Sequence, residues 1–171
     1  MLFSLILAAV LAQVQVAAAP TPVPNPHPDL GQVMFFAGTW TCHEKLRGSD
    51  RPDTSTSSVV MNGRWLKVHD VAPPFDRYRT LPVNSDSYYG YDPVLKQYVN
   101  VGVDDFGGYS VAYSPGWQGN KMVWTTKTGQ LGATGTLTLT KTSDSAYTWS
   151  STGADRNGKA QPPENGSCKK S

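Results

Sequence analysis

The sequence holds 171 residues, 39% hydrophobic and 16% charged, which is enough for one globular core and too short to argue for two. A formal net charge of +2 comes without any block of like charges, which speaks against a nucleic-acid or anionic-membrane surface. The residues in excess are Gly, Thr, Ser, Tyr and Trp, and these favour strands and tight turns over helices.

Residues 2–16 form an apolar run with no charged side chain, followed by Ala17-Ala18-Ala19. This reads as an export signal cut after Ala18, which places the mature protein in the periplasm or outside the cell. Gln13 and Gln15 interrupt the run, and a membrane span needs about 20 predominantly apolar residues, so no stable membrane insertion is expected. The prolines between 20 and 28 alternate with other residues, fix an extended backbone and read as a spacer in which His27 is inert. Residues 29–36 suit a short helical turn that closes a floor, with Leu30, Val33 and Met34 or Phe36 turned inward. The chain therefore divides into a signal (1–18), a linker with a short helical turn (19–34) and one domain (35–171).

The first strand opens at Gly38-Thr39-Trp40, and because side chains alternate along a strand, Trp40, Cys42 and Glu44 share one face. Residues 48–53 read as a polar loop. Residues 54–61 and 64–71 flank Asn62-Gly63, a hairpin signal because a type I′ turn needs positive φ twice. A loop carrying Asp76-Arg77-Tyr78-Arg79 is long enough to act as a lid or to cross a barrel mouth. Residues 87–91 and 97–104 make a second hairpin, with Val99, Val101 and Val103 as its inward face, and Asp105-Phe106-Gly107-Gly108 turns the chain into 109–114. Strands at 121–127, 134–142 and 147–152 follow; the alternation of Thr with Leu137 and Leu139 marks a half-buried strand. A Gly/Asn/Pro-rich tail leads to Cys168.

Eight to ten short strands with regular turns predict an all-β sandwich or barrel. Cys42 and Cys168 stand at the two ends of the domain, and in an antiparallel up-and-down barrel the first and last strands are neighbours, so a bridge there staples the closure. An exported chain with two cysteines supports that oxidation, with two unpaired thiols as the alternative.

Gly38-Thr39-Trp40 at the head of the first strand, followed by Asn62-Gly63-Arg64-Trp65-Leu66 and Gly90-Tyr91-Asp92, resembles the calycin group of lipocalins, fatty-acid-binding proteins and nitrobindin-like barrels. The pattern is most similar to a large bacterial family of uncharacterised lipocalin-like domains, over residues 35 to about 149. The resemblance implies an up-and-down barrel with Trp40 plugging its closed end, Gly38, Asn62 and Gly63 in structural roles, and Arg64 or Lys169 covering the Trp40 ring. It also implies a small-molecule ligand. Nitrobindin-like barrels hold haem through a His near the C-terminal end, whereas no His follows His69 here, so no cofactor is expected.

Other chemistry finds little support. The three His are far apart, so no metal site is expected, and His43 and His69 read as solvent-facing. No Gly-x-Ser-x-Gly elbow or phosphate-binding glycine loop occurs, and the glycines between 129 and 135 read as a turn. Aromatic density remains, and Trp65, Tyr91, Tyr113, Trp124, Trp149 and Arg64 are the candidates to line a ligand cavity. The leading expectation is a monomeric or weakly dimeric barrel that binds a small, partly apolar molecule and is not an enzyme. One rival is an enzyme that transfers protons through Asp70, Asp104 or a Tyr; the other is an interaction module with a filled core, working through loops that expose Trp117.

Overall fold

The computed structural model describes residues 27–46, 49–74, 80–130 and 133–171. The export segment, most of the proline spacer, the 76–79 loop and the centre of the 129–135 turn lie outside the described residues. The described strands are β1 (Thr39–Leu46), β2 (Ser49–Val60), β3 (Trp65–Ala72), β4 (Val83–Asp92), β5 (Gln97–Asp104) and β6 (Tyr109–Ser114). They continue with β7 (Trp117–Gln118), β8 (Lys121–Gly129), β9 (Thr134–Ser143), β10 (Ala146–Ala154) and β11 (Glu164–Lys170). Each long strand pairs antiparallel with its neighbours in the chain, β1 pairs with β11, and the β6–β8 pairing shuts the sheet into a ten-stranded up-and-down barrel. The two-residue β7 adds to the edge of β8.

Local chemistry accounts for the turns. Asn62 and Gly63 sit at φ 56° and 84°, and the Arg64 N–H donates to the Met61 carbonyl at 3.2 Å, as an Asn-Gly turn requires. The Asp92 carboxylate accepts from the Val94 and Leu95 N–H groups, and the Asp104 carboxylate from those of Phe106 and Gly108. Asp104 is thereby committed to its turn.

Three expectations change. Residues 48–53 are not a loop, since β2 begins at Ser49 and faces β1 through Arg51, Pro52 and Asp53. Pro52 is tolerated because β2 gains its second neighbour only from Thr54 onward, so the missing N–H falls where the strand has a free side. The C-terminal tail is a strand, β11, in which Gly166 leaves room for Trp149; a Cβ there would lie 2.5 Å from the indole Nε1. On β5 the inward face is Tyr98, Asn100 and Gly102; Val99, Val101 and Val103 face outward, and Val103 is 44% exposed. Alternation shows which residues share a face and leaves open which face is inside.

The floor is as expected. Two short 3-10 turns, Pro28–Leu30 and Val33–Phe36, cap one end of the barrel and bury Leu30, Val33 and Phe36 against Leu66, Tyr98 and Met122. His27 belongs to this plug, because its N–H donates to the Gly63 carbonyl at 2.7 Å. Trp117 is folded onto the same plug instead of standing free: its indole N–H donates to the Gln32 carbonyl and its ring meets Phe35 at 5.3 Å. Cys42 and Cys168 are direct partners in the β1–β11 ladder and form a disulfide, so the bond crosses the seam between the first and last strands.

Candidate functional site

Ten strands enclose more interior than the eight whose lumen side chains just fill, so space for a small molecule is a geometric consequence of the strand count. A cavity of about 280 Å³ lies inside the barrel. Its floor is aromatic and apolar, made by Phe36, Trp40, Tyr89 and Tyr147 with Val68 and Leu139 on the walls. Trp40 is 1% exposed and donates its indole N–H to the Phe36 carbonyl at 3.1 Å. Phe36 stacks on Tyr89 at 5.5 Å, and Trp40 meets Tyr147 edge-on at 5.1 Å.

Towards the opposite end the inward positions of β1, β2 and β3 become ionisable: Glu44, Arg51, Asp53 and Asp70 all line the cavity. Arg51 pairs with Glu44 through two N–H groups, one at 2.9 Å and one closer, directly across the β1–β2 ladder. Burial nevertheless raises Glu44 above the usual carboxylate value, against the pull of Arg51. Asp53 is also raised by burial; it is 7% exposed, and its Oδ1 has no protein hydrogen-bond partner. Burial, and then the charges of Asp53 and Glu44, push Asp70 up to about 7. The Tyr89 and Tyr147 hydroxyls are raised by burial and stay protonated. Two donors elsewhere in the described structure, Asn100 Nδ2 and Trp124 Nε1, are buried without partners, and neither lines this cavity. Ser85 borders both the cavity and a wider hydroxyl-rich groove at the far end, lined by Ser87, Asp104, Tyr109 and Ser110.

Of the six residues expected to line a cavity, the barrel brings Trp149 to it. Trp124 points inward at 3% exposure and packs on Tyr89 behind the wall. Tyr91 is inward but lies at the plugged end against Tyr98. Trp65 lies on the outer face, with its ring over Gly90, and Tyr113 shares that face through its pairing with Val99. Arg64 is exposed at the hairpin, 3.9 Å from Asp29. The cover of the Trp40 ring is Lys170 in place of Arg64 or Lys169: its Nζ stands 5.6 Å from the ring centroid, since Lys170 is Trp40's partner across the β1–β11 ladder. Gly38, at φ 110°, lets the Lys170 stem pass, because a Cβ there would lie 2.8 Å from Cε.

Arg51 and Asp53 escape a reading of the sequence because their segment has the polarity of a loop. The available signal was the alternation of Arg51, Asp53 and Ser55 with Asp50, Pro52 and Thr54, which has strand period but no apolar face. His69 is on the outer face, where Asp86 binds both it and Lys67 at 2.8 Å, and His43 is exposed.

No family model and no curated protein matches the sequence. Among solved structures, the chain is similar to the crystal structure of Rv2717c from M. tuberculosis, with a TM-score of 0.61 over 86% of this chain and 99% of that one, at 9% identity. The likeness is one of fold.

Proposed function

We propose that this chain is an exported, lipocalin-like barrel that holds one small, partly apolar molecule in its interior, working as a monomer or weak dimer. The observation that carries the reading is the 280 Å³ cavity, aromatic at its floor and polar above it, as a pocket is when apolar walls bind and a few polar groups orient. Export after Ala18 belongs to the same reading and accords with the Cys42–Cys168 bond, since disulfides persist in oxidising compartments. An unfilled interior weighs against a purely structural module.

Native mass spectrometry of the exported protein tests this. The expected result is an N-terminus at Ala19, a mass two hydrogen atoms below the reduced chain and a second species carrying a small molecule that denaturation releases. A single unliganded mass, together with no saturable binding of an apolar dye, would overturn it.

One observation favours the enzyme reading. Asp70, at about 7, lies near Asp53, and a carboxyl poised near neutrality is suited to proton transfer. The two readings separate in Asp70→Asn: an enzyme loses turnover and keeps its ligand, while a binding protein has no turnover to lose.

A further inference from the structure

We infer that the molecule held by this barrel is a compact organic amine, its ammonium group seated at Asp53 and Asp70 and its apolar body on the aromatic floor. This rests on the ligand-binding reading above and adds the charge class of the ligand.

Three features of the cavity converge on a cation. Among the described residues that line it, Arg51 is the single cation against three carboxyl groups, and it is already engaged with Glu44. Asp53 is 7% exposed, lines the cavity and has an acceptor, Oδ1, with no protein donor. A buried acceptor left unmade costs about 1–3 kcal/mol, so a donor in the cavity towards which the Asp53 carboxyl turns supplies a bond that the closed packing lacks. The rings of Trp40, Tyr89, Tyr147 and Trp149 border the same space, and their faces attract a cation and repel an anion. An anionic ligand such as a fatty acid would meet three carboxyl groups with one guanidinium to set against them.

Size and geometry narrow the class further. A volume of about 280 Å³ is at the small end of ligand pockets, which suits a short arylalkyl or alkyl amine better than a lipid. No three His, Cys, Asp or Glu among the described residues are grouped closely enough to hold a metal ion. The negative charge is therefore spread along one wall above an apolar floor, an arrangement that matches an amphipathic amine and not a bare ion.

The test uses a matched set of 4-phenylbutylamine, 4-phenylbutan-1-ol and 4-phenylbutyrate, titrated calorimetrically at pH 8 into the disulfide-bonded protein. The expected result is that the amine binds at least about tenfold tighter than the alcohol and that the carboxylate gives no heat of binding. Asp53→Asn and Asp70→Asn, each verified as folded by its thermal melt, then weaken the amine by about tenfold and leave the alcohol within about twofold. Equal or tighter binding of the alcohol or the carboxylate overturns the inference and leaves the binding reading standing. If none of the three binds and a retained molecule without an amine is found, the inference alone falls. If none binds and nothing is retained, the binding reading falls with it.

Discussion

At the closed end of the barrel Phe35, Phe36, Trp40 and Tyr147 meet ring to ring at 5.1–5.9 Å, whereas further along the same strands the inward positions are Glu44, Arg51, Asp53 and Asp70. The first region is how a protein gains stability: large apolar rings removed from water, with the Trp40 indole N–H satisfied by a carbonyl. The second works against stability, since it buries carboxyl groups whose ionised forms are raised in energy by that burial. A barrel that needed only to fold would fill those positions with Val or Leu. On the ligand-binding reading proposed above, that cost is exchanged for contacts with an occupant.

The sharpest way to break the contrast is at the floor. Trp40→Ala removes the ring shared by Phe35, Tyr147 and Lys170, and should cost about 3–5 kcal/mol in chemical denaturation, the range for large-to-small changes in a core. A loss below about 1 kcal/mol would show that the aromatic end does not anchor the fold.

The belt should respond in the opposite direction. Asp70 has an ordinary value of 3.8 and is pushed to about 7 in the folded chain, so between those values the folded protein keeps a proton that the unfolded chain releases. Stability contributed by this group is therefore complete below about pH 4, declines as pH rises to about 7 and is level above that. Asp70→Asn should flatten the decline and raise stability at pH 8 by at most about 4 kcal/mol, read from denaturation midpoints across pH. On the outer face Asp86 runs the other way, since its hydrogen bonds to Lys67 and His69 hold its carboxyl below the ordinary value. A steeper pH dependence in the Asp70 variant would contradict the assignment of that group.

The smallest effect sharpens the comparison at the seam. Lys170→Met keeps the stem and removes the charge above Trp40, and should lower stability by about 0.5–1 kcal/mol, with added salt reducing the difference. A larger loss would mean that the lysine supports more than the ring it covers.

Much of the architecture was legible. The Asn62-Gly63 turn, the turn at 105–108, the Leu137/Leu139 alternation and the 29–36 plug are local signals, each set by the φ range of a residue, the turn chemistry of Asp and Gly or the period of apolar positions. The site was less legible for a specific reason. Its decisive residues lie on β2, whose inward positions Arg51, Asp53 and Ser55 are polar, so the usual contrast between a wet and a dry face is missing. The tail that becomes β11 failed the same test: its inward side presents Glu164, Gly166 and Cys168, and glycine gives no apolar signal even where its lack of a side chain is what lets Trp149 enter.

What the chain by itself determined is most of its strands and turns, outside the start of β2 and β11, and the placement of one cysteine near each end of the domain, because these depend on near neighbours and on order along the polypeptide. What only the tertiary structure decided is which side of each strand faces in: Tyr98 and not Val99, Trp149 and not Trp65, Asp53 against an aromatic floor. The physical reason is that a strand's alternation is unchanged when its two faces are exchanged. Only closure through the β1–β11 and β6–β8 pairings gives the barrel an inside.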